Sequence, residues 1–248
     1  MHASLFLFIK PISFFRRQIM KNGYLVQLHL HTSDTSRCGH DTGYDIAKAC
    51  KEAGYHLIAI TDHFFNANIG CDRDLPWEEK VEYLLRGYRS AKLAGDEIGL
   101  KVIFGWETFQ LGRELLTYGL DEEFLLSHPD IDKVPYYDYI KTVTEAGGKI
   151  IHAHPYRQAP YIPDFKPDPL SVEAYEVYNA GNREEEWNEK ALTEAKAHNL
   201  LCFAGSDAHS TAGVVNGAML FMNPVENIHD IFREAKLGNS EIIRTIDK

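Results

Sequence analysis

The chain has 248 residues, of which 44% are hydrophobic and 25% charged, ordinary values that exclude a disordered or fibrous protein. Its formal net charge is -10, with no lysine–arginine block beyond Arg16-Arg17, which argues against an extended surface for long nucleic acid. A small phosphorylated substrate or a short nucleic-acid end stays compatible with this balance, because bound cations invert local charge.

Residues 1–19 read as an upstream extension, and the domain as 20–248, because Met20 stands just ahead of the first strand. The apolar run Ser4 to Phe15 is interrupted by Lys10 and Pro11, and its basic residues follow it. It therefore fits neither a secretory signal nor a spanning helix, and no membrane association is expected. Tyr24 to Leu30 reads as a strand and Asp45 to Ala53 as a helix, with Asp45 as N-cap and Gly54 as stop. His56 to Thr61 has the apolar run of a strand buried on both faces. Helix Trp77 to Gly95 and strands Lys101 to Gly105 and Leu115 to Tyr118 follow. Then come helix Tyr136 to Ala146, strand Lys149 to His152 and the proline-rich loop Ala159 to Pro169. Strand Ala174 to Tyr178, helix Glu184 to His198, strand Leu200 to Ala204 and helix Val225 to Lys236 complete the order.

Strands alternating with helices imply βαβ units, a parallel sheet and one α/β barrel domain. His29, His31, His63, Glu107, His154, Asp207 and His209 each fall at or just past a strand end, where such a barrel gathers its chemistry. His29 and His31 are two apart, so both side chains point one way and reach one cation. His152-Ala153-His154 repeats that spacing, and Asp207-Ala208-His209 offers an oxygen and a nitrogen donor. Asp62 beside His63 is either a partner that fixes the imidazole or part of a satisfied structural pair. Glu107 taken alone reads as a solvated loop carboxylate.

The order His-x-His-Thr, Thr-Asp-His, Gly-x-Glu, Ala-His-Pro and Ser-Asp-x-His, spread from about Leu25 to Ser210, resembles the polymerase and histidinol phosphatase (PHP) superfamily. The resemblance implies a distorted seven-stranded (β/α)7 barrel and two or three divalent metals, zinc, manganese or iron. It implies hydrolysis of phosphomonoesters or phosphodiesters, here of a small phosphorylated metabolite or nucleotide. Ligand roles carry over to His29, His31, His63, Glu107, His154, Asp207 and His209, with Glu107 bridging two metals. Glu107, Asp207 and His209 are also the expected catalytic residues. Two positions depart from the family pattern. Ser36 stands where an Asp ligand is usual, leaving Asp34, His40 or Asp41 as substitutes. Glu114 stands where a His is usual, with His128 as the other candidate. Arg157, Arg183 and Arg37 are candidate phosphate contacts, since guanidinium forks suit phosphate oxygens.

Cys38, Cys50, Cys71 and Cys202 form no CxxC pair and fit the reduced thiols of a cytoplasmic protein. A nuclease-like enzyme acting on nucleic-acid ends is the first alternative, and an inactive metal-binding regulatory barrel the second. Seven intact donors weigh against the latter, since unpaired buried imidazoles and carboxylates cost stability.

Overall fold

The computed structural model describes residues 23–162 and 167–246, so the extension expected at 1–19 lies outside the described residues. A nine-stranded sheet curls into a nearly closed barrel with helices packed around it. The strands are β1 (Tyr24–Gln27), β2 (Leu57–Ile60), β3 (Lys101–Gln110), β4 (Arg113–Tyr118), β5 (Lys149–Ala153), β6 (Ala174–Asn179), β7 (Leu201–Gly205), β8 (Asn216–Phe221) and β9 (Ser240–Thr245). Their order in the sheet is β7-β6-β5-β4-β3-β2-β1-β8-β9.

Three features depart from a seven-stranded parallel barrel. First, β4 runs antiparallel to both β3 and β5. Only Leu111 and Gly112 separate it from β3, with φ of 50° and 82°. Two left-handed residues make a tight hairpin turn, and no crossover helix fits into two residues. Second, β3 continues through Gln110 instead of stopping at Gly105, so Glu107 lies within a strand. Third, β8 pairs antiparallel with β1, and β9 with β8, two strands absent from the expected order.

The sheet closes at the C-terminal rim. Leu30, past β1, bridges Ala208, past β7, while Ser206 N donates to Gln27 Oε1 at 3.0 Å and Ser206 Oγ to the His29 carbonyl at 3.0 Å. Gly217 of β8 has φ of 64°, and a Cβ there would meet the Gly205 carbonyl at 2.1 Å, so the approach of β7 to β8 requires a glycine.

The helices are α1 (Gly43–Glu52), α2 (Trp77–Ile98), α3 (Glu122–Ser127), α4 (Tyr136–Glu145), α5 (Glu185–Ala197) and α6 (Ile228–Lys236). Thr42, not Asp45, caps α1. Its hydroxyl accepts from Asp45 N at 3.2 Å and donates to Asp45 Oδ2 at 2.6 Å. Asn227 caps α6 through His229 N and Asp230 N. The short α3, begun by Asp121, is a further element not expected from sequence. Buried apolar side chains such as Leu28, Ala59, Leu116, Ile151 and Phe203 fill the core. Burying them favours the fold, and the strand ends are thereby held in fixed positions.

Candidate metal centre

Seven consecutive strands each deliver acid or imidazole to the rim. His29 and His31 follow β1, His63 follows β2, Glu107 lies on β3, Glu114 begins β4, His154 follows β5, Glu176 lies on β6, and Asp207 and His209 follow β7. Because β4 is reversed, its first residues reach the same rim as the last residues of its neighbours. Except for His209, which is about half-buried, all are buried.

Glu107 sits at the centre, only 1% exposed. Its Oε1 lies 3.4 Å from His29 Nε2 and 3.1 Å from His154 Nε2. Its Oε2 lies 3.4 Å from His31 Nε2 and 3.0 Å from His63 Nδ1. Burial alone would raise this carboxyl, but His29, His154 and His63 hold it well below the usual carboxylate range. His29 Nε2 and His31 Nε2 are 3.1 Å apart, and Asp207 Oδ1 lies 3.5 and 3.2 Å from them. Burial, reinforced by His63, pushes His31 down to about 3, leaving a neutral imidazole near pH 7. Burial also works against the charge on Asp207, but Arg157 and then His29 keep it ionised. The Arg157 guanidinium holds Asp207 Oδ2 at 2.7 Å.

The donor set fits divalent cations. Four groups of three bring their donor atoms within 4.8 Å of one another: His31, His63 and His209; His29, His31 and Asp207; His29, His154 and Glu176; Glu107, Glu114 and His154. Glu114 Oε2 is buried without a hydrogen bond, 3.5 Å from His154 Nδ1. Imidazole lone pairs and carboxylates converging without enough protons between them are what a cation satisfies. His154 and Asp207 take left-handed backbone, φ 29° and 53°, which non-glycine residues adopt at a cost of order 1–3 kcal/mol. That strain turns both side chains into the cluster.

All seven expected ligands therefore meet, and Glu114 joins them. Asp34 does not: its Oδ2 accepts from Gly43 N at 2.7 Å. Asp41 accepts from Thr211 N at 2.7 Å, and His40 is exposed. Ser36 donates to Asp62 Oδ1 at 2.6 Å. His128 packs on Phe124 near α3, away from the cluster. Of the arginines, Arg157 lines the cavity, whereas Arg37 and Arg183 are exposed and do not. Asp62 accepts from Thr32 N and Oγ1, each at 2.7 Å, as well as from Ser36. It is thus a structural brace for the loop after β1, not a partner of the His63 ring. His152 parts from His154: it is fully buried against Tyr175, and neither ring nitrogen has a hydrogen-bond partner among the described residues.

A cavity of about 560 Å³ opens over the cluster, lined among others by Glu107, Glu114, Arg157, Asp207, Phe109 and Tyr161. Cys38 also reaches its wall, which His63 and His209 line as well.

The PHP-associated family model matches residues 185–240, the stretch carrying Asp207 and His209. The fold is that of a Bacteroides vulgatus two-domain protein containing a predicted PHP-like metal-dependent phosphoesterase (TM-score 0.69, 15% identity, covering 90% of this chain and 65% of that one). The chain carries a PHP-associated segment and shares the fold of a PHP-like protein. A Bifidobacterium adolescentis protein described as a metal-dependent phosphoesterase is also similar in fold (TM-score 0.56, 18% identity, 84% and 94% covered). So is an amidohydrolase from Chromobacterium violaceum holding sulfate and no metal (TM-score 0.55, 15% identity, 88% and 97% covered). No curated protein matches the sequence significantly. Among the described residues no helix is long and apolar enough to cross a membrane.

Proposed function

We propose that this chain is a PHP-type, metal-dependent phosphoester hydrolase acting on a small phosphorylated metabolite or nucleotide. The observation that carries the reading is the meeting of seven imidazole and carboxylate donors beneath one cavity that also presents the Arg157 guanidinium. Two or three divalent cations (zinc, manganese or iron) held by His29, His31, His63, Glu107, His154, Asp207 and His209 would polarise a phosphoryl group and make water nucleophilic near neutral pH.

The chain's own residues do the rest. Glu107, between four imidazoles, fixes the spacing of the two halves of the cluster and offsets cationic repulsion. Asp207 and His209 present an oxygen and a nitrogen toward the cavity from one short loop. Arg157, 15% exposed at its side chain and tied to Asp207, Asn179 and Asn182, keeps a cationic fork aimed at an incoming anion. The cavity volume suits a small ligand. Phe109 and Tyr161, with ring centres 6.4 Å apart, give its mouth an apolar side for a base or sugar. A nuclease groove would need several cationic side chains along it, and among the described residues the cavity lining contains a single arginine and no lysine.

The test is metal content of the purified protein together with turnover of a panel of phosphomonoesters, phosphodiesters and amides, with and without chelator. Chelator-sensitive release of phosphate or alcohol supports the reading. Less than one metal per chain after metal-replete expression, or cleavage confined to amides, overturns it.

A further inference from the structure

Two asparagines hold the Arg157 guanidinium, and a third orients both of them. Arg157 Nε donates to Asn182 Oδ1 at 3.0 Å, and Nη2 donates to Asn179 Oδ1 at 2.8 Å. Nη2 also reaches Asp207 Oδ2 at 2.7 Å. One edge of the guanidinium is thus committed to the protein. Nη1 is left without a protein partner among the described residues, free for a ligand.

An amide faces a guanidinium through its oxygen, so each asparagine must spend its nitrogen elsewhere. Asn179 Nδ2 donates to Glu176 Oε2 at 2.7 Å, which turns Oδ1 toward Arg157 and Gly181 N. Asn182 Nδ2 donates to Asn188 Oδ1 at 2.8 Å, which turns its own Oδ1 toward Arg157 Nε. The same Asn188 Oδ1 accepts from Asn179 N at 3.0 Å. Asn188 lies in the first turn of α5, 5% exposed, behind both of the residues that grip Arg157. Gly181 completes the seat. A Cβ there would meet Asp207 Oδ2, Asn179 Oδ1 and Arg157 Nη2 at 3.0, 3.1 and 3.2 Å, so any side chain crowds all three.

Both amide oxygens are neutral. Asp207 is the one carboxylate bonded to Arg157 among the described residues, and it also faces His29 and His31. The guanidinium is therefore positioned mainly by groups that leave its charge available to an anion.

We propose that Asn188 is a positioning residue of the anion subsite: through Asn182 and the Asn179 main chain it fixes the Arg157 guanidinium, and so sets affinity for a phosphoryl group. The proposal rests on reading Arg157 as the phosphate contact of the hydrolase. Asn188 bonds neither the guanidinium nor the metal cluster. Its loss therefore raises KM while kcat and metal content hold, the signature of weakened uniform binding.

The test is a double-mutant cycle on metal-loaded full-length protein, read by calorimetric titration of inorganic phosphate beside KM for a phosphomonoester. Asn188→Leu is expected to weaken phosphate binding roughly two- to tenfold, the range of one neutral hydrogen bond. Asn188→Asp keeps the accepting oxygen and is expected to restore wild-type affinity. In the Arg157→Gln background, Asn188→Leu is expected to change nothing further, which a general loosening of α5 would not reproduce. Asn182 is only half-buried on a loop, so Asn182→Ala runs the same cycle should Asn188→Leu fail to fold. Equal losses in both backgrounds, or wild-type phosphate affinity in Asn188→Leu, overturn the positioning role and leave the hydrolase reading standing. Losses that depend on Arg157, in a protein that turns over no phosphoester, uphold the positioning role and overturn the hydrolase reading. Wild type that binds no phosphate overturns both.

Discussion

Glu176 Oε1 lies 2.9 Å from His29 Nδ1, so the nitrogen of that ring facing away from the cluster is held by a buried carboxylate. The same carboxylate accepts from His154 N at 3.0 Å and from Asn179 Nδ2 at 2.7 Å through Oε2. One side chain of β6 therefore orients the His29 imidazole after β1 and anchors the main chain of His154 after β5. A His bonded through one nitrogen to a carboxylate has its tautomer fixed and its other nitrogen made more basic toward a cation.

Glu176→Gln should consequently keep the fold and weaken metal binding by about 10- to 100-fold. Competition with a chelator of known affinity, run beside a urea melt of the same preparation, measures both. Unchanged metal affinity would mean that Glu176 only fills space. Gly205→Ala should act on the same pair, since a Cβ there meets Glu176 Oε1 at 2.1 Å and His29 Cβ at 2.6 Å.

Glu107→Gln removes the negative charge shared by four imidazoles while conserving shape. The expected outcome is a folded protein with fewer metals per chain and turnover lower on the order of 10²-fold or more. Metal stoichiometry and turnover must be read on one preparation. Wild-type turnover in this variant would show that the carboxylate joins no two halves of the site.

The positions of the rim residues were readable because each follows a short β-rich run, and the parallel strands do end together. What the sequence hid has identifiable causes. Glu107 looked like a loop residue because Trp106 and Thr108 continue β3 without any break in polarity that marks its end. The reversal of β4 was signalled only by Leu111-Gly112, a pair that is not among the usual Asn-Gly hairpin turns. Strands β8 and β9 come after the last motif, and β9 is half-exposed, so its apolar pattern is weak. Glu176 had a signal: an acid inside the short apolar run Ala174–Asn179 is expensive to bury unless paired. The His-x-His spacing at His152 misled in the opposite sense. Left-handed backbone at His154 breaks the alternation that would have put both rings on one face.

Arg157→Gln separates anion recognition from metal binding. Arg157 contacts Asp207, Asn179 and Asn182 but offers no metal-donor atom, so metal content should hold. A lost charged hydrogen bond to phosphate is worth about 1.5–3 kcal/mol. KM for a phosphoester and the inhibition constant of inorganic phosphate should therefore rise about tenfold or more. If metal is lost and KM is unmoved, the guanidinium serves only to position Asp207.

His152 gives a pH dependence with a defined sign. Burial, and after it His154 and Arg113, lowers this imidazole to about 3, against about 6.5 in an unfolded chain. Below about pH 6.5 the unfolded chain binds a proton that the folded chain refuses. Its effect on stability is therefore fully favourable above that pH and is lost progressively as pH falls toward about 3. Replacing the ring by an apolar side chain of similar size, His152→Leu, deletes this single proton from the balance. It also removes two buried nitrogens that have no hydrogen-bond partner among the described residues. Urea unfolding in the presence of chelator, at intervals from about pH 8 to pH 5, should show a shallower acid limb in the variant. Relative to wild type, it should gain about 2 kcal/mol across that interval. Parallel curves for the two proteins would mean that the folded protein protonates His152 after all, and that its ring is not sealed from water behind β5.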